Sequence, residues 1–265
     1  MRPFENSLLT NFARHREDGV MAEQSFLSVK SIPARERLIL ALDVPTVEEA
    51  KSLVEKLGDS VVFYKLGLEI FMAGGYYEFI EWLREREKQI FVDLKFFDVP
   101  QTVQSAVSQL KNRQVRFVTV HGNDAILKAA VKNKNDLQIL AVTVLTSLDQ
   151  ADLKDLGFQC DVEKLVLSRA RRALELGCDG VVSSGLEARQ LRTDLGRNFL
   201  VVIPGIRPVE NTSDDQKRKV DVEQAFLNGA DYIVVGRPIR QAPDPKAKAE
   251  EIQKRIAALF ATRPV

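Results

Sequence analysis

The segment IFVDLKFFDVP, residues 90–100, joins an apolar run to three charged residues of alternating sign. Asp93 and Lys95 are two residues apart, so on an extended strand both side chains point to the same face. A carboxylate and an ammonium held together at the end of a hydrophobic run shift each other's ionisation, and such groups cluster at functional sites. The segment therefore predicts a buried strand whose end carries chemistry, which indicates an enzyme.

Composition excludes several classes of protein. The chain has 265 residues, and 38 basic residues nearly cancel 37 acidic ones, so no overall field favours nucleic acid or a membrane surface as a partner. No apolar run is long enough for a transmembrane helix. Cys160 and Cys178 have neither metal-ligand spacing nor a disulfide framework. We expect a cytoplasmic protein that binds neither nucleic acid nor membrane.

Short apolar runs alternate with longer helical patterns from Arg37 onward, which is typical of βαβ units and a parallel sheet. The predicted strands are Leu38–Leu42, Val61–Leu66, Ile90–Leu94, Arg116–Val120, Leu137–Val144, Gly180–Ser183, Phe199–Ile203 and Tyr232–Val235. Eight such units favour a closed (β/α)₈ TIM barrel over an open doubly wound sheet. We predict an N-terminal extension over residues 1–34 and one barrel domain over residues 35–265.

A barrel brings the residues that end its strands together on one face. Those residues are Asp43, Lys65, Asp93, Lys95, His121, Thr146, Pro204 and Gly236. Lys65 interrupts an apolar run and needs a partner charge to offset its desolvation. Lys65, Asp93 and Lys95, with Asp98 as a second carboxylate, would form an alternating array that leaves one lysine placed as a proton donor. The alternative is a structural ion-pair network.

Other residues at this face also have two interpretations. Asp43 could accept hydrogen bonds from sugar hydroxyls or could cap the following helix, where Thr46 is an equally good cap. Gly205, Arg207, Gly236 and Arg237 follow the last two strands, where barrels often bind phosphate. The polar residues 211–218 would be a mobile lid or an ordinary solvated loop. His121 is interpreted as a hydrogen-bonded structural residue.

Several motifs, taken in order, resemble one known family. They are DLKFFDVPQT at residues 93–102, with LD at 42–43, YK at 64–65, LTS at 145–147, PGIRP at 204–208, DQ at 215–216 and VGR at 235–237. Over about residues 37–260 the chain closely resembles the orotidine 5′-phosphate decarboxylase family. The resemblance implies a homodimeric (β/α)₈ barrel that uses neither metal nor organic cofactor.

The resemblance also implies a role for each matching residue. Lys95 would protonate the pyrimidine carbon that carbon dioxide leaves, Asp93 would lie beside the departing carboxylate, and Lys65 would complete the charge network near the ribose. Asp98 and Thr102 would reach the partner subunit's site. The remaining substrate-binding residues would be Asp43 for ribose, Thr146 and Ser147 for the pyrimidine, Gln216, Gly236 and Arg237 for phosphate, and Arg207 and Pro204 in support.

Two other functions remain open from the sequence. Related barrel lyases act on sugar phosphates through a metal-stabilised enediolate. A catalytically silent barrel could bind nucleotides as a regulator, although the intact array of two lysines and two aspartates argues against it.

Overall fold

Eight parallel strands close into a barrel in the computed structural model, which describes residues 25–132, 134–206 and 220–261. The strands follow chain order, and the first pairs with the last. This confirms the predicted (β/α)₈ fold. The strands are β1 Leu38–Ala41, β2 Phe63–Leu66, β3 Gln89–Phe96, β4 Phe117–Val120, β5 Gln138–Val142, β6 Gly180–Val182, β7 Leu200–Pro204 and β8 Tyr232–Val235.

The helices lie between the strands and cover the barrel from outside. They are α1 Val47–Leu57, α2 Leu68–Met72, α3 Tyr76–Arg84, α4 Pro100–Ser108, α5 Asp124–Val131, α6 Gln150–Asp155, α7 Val162–Glu175, α8 Ala188–Leu195, α9 Val222–Leu227, α10 Arg237–Arg240 and α11 Pro245–Ala261. Short 3₁₀ helices occupy Ala34–Glu36 and Gly58–Ser60. Within the described ranges, no helix has the length and apolar character needed to cross a bilayer.

Side chains of each strand alternate between the barrel interior and the helices. In β1, Ile39 and Ala41 belong to the inner cluster, whereas Leu38 and Leu40 belong to the outer one. Because both faces are buried, the strands are almost continuously apolar, as is typical of parallel sheets. The alternation continues past each strand end, so a polar residue two positions beyond an inner residue points into the barrel mouth.

The sequence interpretation was wrong in one helix. The spacing of apolar residues predicts one helix over residues 69–88, but the structure divides this segment into α2 and α3. Gly74 and Gly75 have φ angles of 83° and 64°. This left-handed conformation, which glycine adopts without a Cβ clash, ends one helix and starts the next.

A fully buried carboxylate lies at the face of the barrel where the strands begin, opposite the face formed by their carboxyl ends. Asp231, directly before β8, accepts hydrogen bonds from Arg192 Nη2 at 2.8 Å and from the Val201 backbone N–H at 3.0 Å. It also binds Lys30 Nζ at 3.0 Å and the Ser28 hydroxyl. These contacts attach residues 25–30 to the barrel. The rest of the predicted extension, residues 1–24, lies outside the described residues.

We predict that Asp231→Ala lowers the free energy of unfolding by about 3–5 kcal/mol, because removal of one partner leaves Arg192 buried with an uncompensated charge. Chemical denaturation monitored by circular dichroism measures this change. Asp161→Ala is the matched control, since Asp161 pairs with Lys164 at an exposed position and exposed pairs contribute little. Equal losses in the two variants would contradict the prediction.

Candidate active site

A cavity of about 270 Å³ opens at the barrel face formed by the carboxyl ends of the strands. This is the face at which barrel enzymes hold their active sites. The predicted site residues that line it are Asp43, Lys65, Asp93, Lys95, Thr146, Pro204, Gly236 and Arg237. The structure thus brings together residues from six different strands or the loops that follow them.

An alternating chain of charges lies at the bottom of this cavity. Lys65 Nζ is 3.2 Å from Asp43 Oδ1 and 3.3 Å from Asp93 Oδ2. Lys95 Nζ is 3.1 Å from the other oxygen of Asp93. The Asp93 carboxylate is therefore shared by two ammonium groups. The side chains of Lys65 and Asp93 are each 12% exposed, whereas that of Lys95 is 37% exposed, so Lys95 is the more accessible lysine.

The charges keep each other ionised in spite of burial. Burial alone would raise the pKa of Asp93, but the charges of Lys65 and Lys95 and the hydrogen bonds from Lys95 and Thr119 hold it below its usual value. Burial alone would lower the pKa of Lys65, but the charges of Asp93 and Asp43 hold it above its usual value. Asp93 and Lys65 are therefore each held in the charged form.

Strand register explains why these groups meet. Asp43, Lys65 and Asp93 each lie two positions beyond an inward residue of the barrel core, namely Ala41, Phe63 and Phe91. Lys95 is two positions further along β3 and has a φ angle of 48°. That conformation is unusual for a residue other than glycine and marks a local irregularity in the strand.

Gly67, directly after β2, leaves space for the array. A Cβ at this position would lie 3.0 Å from Lys65 Nζ and 3.2 Å from Asp43 Oδ1. Any larger residue would push against the ion pair. The glycine is therefore favoured by the close approach of charged groups, which a Cβ would displace by a few tenths of an ångström, and not by its own backbone angles, since its φ is −99°.

The lining of the cavity also carries the predicted anion-binding groups. Gly205, Gly236 and Arg237 line it, together with Arg240. Arginine supplies forked donors that match a phosphate, and glycine exposes the backbone. The predicted phosphate ligands Arg207 and Gln216, and the predicted lid at 211–218, lie outside the described residues.

Three predicted site residues do not line the cavity. Asp98, Thr102 and Ser147 are exposed. Asp98 Oδ1 accepts a hydrogen bond from the Val99 backbone N–H at 2.6 Å, and no ion pair joins Asp98 to the array within the described residues. The array consists of Asp43, Lys65, Asp93 and Lys95, with Asp43 in the place that the sequence interpretation assigned to Asp98.

Two alternative interpretations are resolved by the geometry. Thr46 caps α1, since its side chain accepts a hydrogen bond from the Glu49 N–H at 3.2 Å, so Asp43 is left for the array. His121 Nδ1 is 2.9 Å from the Val142 carbonyl, which can only accept. The imidazole therefore donates from Nδ1, and burial lowers its pKa. His121 does not line the cavity, which favours the structural role expected of it.

Two residues near the array were missed by sequence reasoning. Thr119 donates to Asp93 Oδ1 and accepts from the Lys95 backbone N–H. Arg240 lines the cavity, and its buried Nε has no hydrogen-bond partner in the described part of the chain. A polar residue inside the apolar run 117–120, and the three-residue spacing from Arg237 to Arg240, were the available signals.

Comparison with known proteins identifies the family. The model of the "Orotidine 5'-phosphate decarboxylase / HUMPS family" matches residues 36–252, which is most of the chain. This chain belongs to that family. The matched range runs from just before β1 into α11 and includes all eight strands and the whole cavity.

Individual members of the family are similar over nearly their full length. The orotidine 5′-phosphate decarboxylase of Methylococcus capsulatus is 64% identical over 238 residues, which cover 89% of this chain and 98% of the relative. That of Nitrobacter winogradskyi is 49% identical, covering 84% and 94%. The crystal structure of the Lactobacillus acidophilus decarboxylase, 35% identical, matches with a TM-score of 0.73 over 83% of this chain and 99% of that one.

The ionised Asp93 should give the fold a pH-dependent contribution. Because its folded pKa lies below the usual value of 3.8, the ionised form stabilises the fold above that pH, and the contribution is lost as pH falls through the folded pKa. We therefore predict that Asp93→Asn is less stable than wild type at pH 6 and that the difference shrinks below pH 3.8. Urea denaturation across this range measures it.

The exposed Asp161→Asn serves as the control and should differ little from wild type at each pH. A stability difference for Asp93→Asn that stayed constant down to the acid transition would contradict the assignment.

Proposed function

We propose that this chain catalyses the decarboxylation of orotidine 5′-monophosphate to uridine 5′-monophosphate, a step of pyrimidine biosynthesis. The observation that carries the proposal is the Asp43–Lys65–Asp93–Lys95 array in a cavity that is also lined by Arg237 and Arg240. The names of relatives up to 64% identical support it.

The geometry meets the central demand of this reaction. Loss of carbon dioxide leaves an electron pair on the pyrimidine carbon, and that charge needs stabilisation at the position where it forms. Lys95 presents an ammonium at the cavity surface, held in place by Asp93 at 3.1 Å. It stabilises the developing carbanion and then transfers a proton to carbon, and no metal or organic cofactor takes part.

The other members of the array hold the Lys95 ammonium in place and balance its charge. Asp93 fixes the Lys95 ammonium and lies next to the position of the substrate carboxylate. Lys65 compensates the charge of Asp93, while Asp43, whose side chain is 37% exposed, accepts hydrogen bonds from the ribose hydroxyls. Thr146 and Pro204, which line the cavity, contact the pyrimidine, whereas the adjacent Ser147 is exposed and its pyrimidine contact rests on the family resemblance alone. This division leaves Lys95 as the proton donor.

The phosphate binds at the part of the cavity that Arg237 and Arg240 line. Arg237 and Gly236 bind it, with Gln216 and Arg207 contributing from the segments beyond the described residues. The phosphate is remote from the reacting carbon. The energy of binding it can therefore be used to close the site around the substrate, which increases the rate and not only the affinity.

A spectrophotometric assay of the purified protein with orotidine 5′-monophosphate in excess chelator tests the proposal. Turnover under these conditions is the expected result. Dependence on added divalent metal, with a sugar phosphate as the preferred substrate, would favour the related metal-dependent lyase. Binding of the nucleotide without turnover would favour the silent regulator.

We predict that Lys95→Ala loses turnover by several orders of magnitude but keeps most of its affinity for uridine 5′-monophosphate. The reason is that the ammonium acts on charge that develops in the transition state and is not needed to hold the phosphate. Steady-state kinetics and calorimetry measure the two quantities. Lys56→Ala, at an exposed position of α1, is the control with normal turnover. Near-normal turnover by Lys95→Ala would refute its role.

We further propose a cytoplasmic homodimer with shared active sites, in which residues 35–265 form the catalytic unit. Asp98 and Thr102 are exposed and do not line the cavity of their own chain, so they are available to a neighbouring one. Large apolar side chains are exposed beside them: Phe97 at 67% and Val99 at 63%. Exposed apolar residues next to a functional loop are typical of an interface. Two unpaired cysteines suit a reducing compartment.

A mixing experiment tests the shared site. Lys95→Ala and Asp98→Ala proteins are each expected to be inactive. After subunit exchange, a heterodimer carries both lesions in one site and neither in the other. Activity should return to about a quarter of wild type if exchange is random. Absence of recovery despite demonstrated heterodimers would place Asp98 outside the partner's site.

A further inference from the structure

The end of β3 departs from regular pairing at the catalytic residues. Phe91 and Val92 pair with Phe117 and Val118, but the next pair joins Phe96 to Val120. Between these pairs, three residues of β3, 93–95, are thus set against one residue of β4, Thr119. Such a bulge re-aims side chains and leaves backbone groups without their ladder partners. The left-handed conformation of Lys95 lies inside this bulge.

One side chain of β4 fills the gap in the ladder. Thr119 is fully buried. Its Oγ1 accepts a hydrogen bond from the Lys95 backbone N–H at 2.9 Å and donates one to Asp93 Oδ1, also at 2.9 Å. Because a backbone N–H can only donate and a carboxylate can only accept, the direction of both hydrogen bonds is fixed. The branched Cβ restricts the rotation that would break them.

We propose that Thr119 is a positioning residue, whose hydroxyl holds the Asp93 carboxylate and the Lys95 backbone in one arrangement so that the Lys95 ammonium meets the reacting carbon. The inference rests on the proposed function, since it concerns the same lysine. Asp93 Oδ1 receives both the Thr119 hydroxyl and the Lys95 ammonium. Backbone, hydroxyl, carboxylate and ammonium therefore form a closed ring of contacts.

The ion pairs alone do not supply this ring. Lys65 and Lys95 attract Asp93 from two sides, but charge attraction has little directional preference, whereas a hydrogen bond weakens steeply with angle. Loss of the Thr119 hydroxyl would leave the Lys95 N–H without its acceptor and the bulge without its attachment to β4. The ammonium would remain charged but would no longer be held at one position.

Two substitutions separate the hydroxyl from the shape of the side chain. Thr119→Val keeps the shape and removes the hydroxyl, and Thr119→Ser keeps the hydroxyl and removes a methyl group. We expect kcat to fall by about a hundredfold in Thr119→Val, the scale of a small misplacement of catalytic groups. We expect KM, and the affinity for uridine 5′-monophosphate, to change only a few-fold. Thr119→Ser should retain kcat within a few-fold.

Thr143→Val is the matched control for removing a buried threonine hydroxyl. Thr143 follows β5, its hydroxyl donates to the Val182 carbonyl at 3.2 Å, and it does not line the cavity. It should lose a similar amount of stability with kcat unchanged. A normal kcat in Thr119→Val would overturn the proposal. So would a Thr119→Ser variant that is slower than Thr119→Val, because packing of the methyl group would then be the cause.

Hydrogen exchange provides a readout that does not depend on turnover. The Lys95 amide should exchange faster in Thr119→Val than in wild type and should stay protected in Thr119→Ser. Equal protection in all three proteins would overturn the proposal. Failure of the proposed function is distinct from this outcome, because it would appear as a wild-type protein without turnover on orotidine 5′-monophosphate.

Discussion

The site depends on one buried carboxylate that two ammonium groups share. Asp93 is held by Lys65 through one oxygen and by Lys95 through the other. A charge so deeply buried is tolerable only when it is paired and hydrogen-bonded. The same pairing places an ammonium at the cavity surface with a fixed partner behind it. The cost of burial is thus offset by groups that, under the proposed function, also prepare the site for developing negative charge, which is electrostatic preorganisation.

The barrel supplies this arrangement at low conformational cost. Aromatic residues Phe63, Phe91 and Phe117 fill the interior with ring centroids 5.2 and 5.7 Å apart. The charged groups lie on this layer as the next inward positions of the same strands. Rigid strands position catalytic groups more accurately than loops do. The irregular backbone at Lys95 is confined to the end of β3, where β4 secures it.

Stability and function are located at opposite ends of the barrel. Asp231 and Arg192 form a buried pair before β8, with residues 25–30 attached to it. Asp93 and its partners lie at the carboxyl ends of the strands. The separation is typical of the fold, in which loops after the strands carry function while the other face supports the core. Substitutions near Asp231 should therefore affect folding, whereas those at the array affect the site and, through Asp93, stability as well.

Sequence alone determined the fold and the positions of the strand-end residues, because these depend on local periodicity, while motifs matched in chain order carried the family resemblance and the roles that it implies. A residue two positions beyond an inward strand residue also faces inward, so Asp43 and Lys65 could be placed from the chain itself. Tertiary structure alone decided which groups meet. The break in the long helix at Gly74, the partnership of Asp43 with Lys65 and the bond from Thr119 to Asp93 depend on backbone conformation, strand register and barrel closure. Those properties join residues distant in sequence, and no local pattern records them.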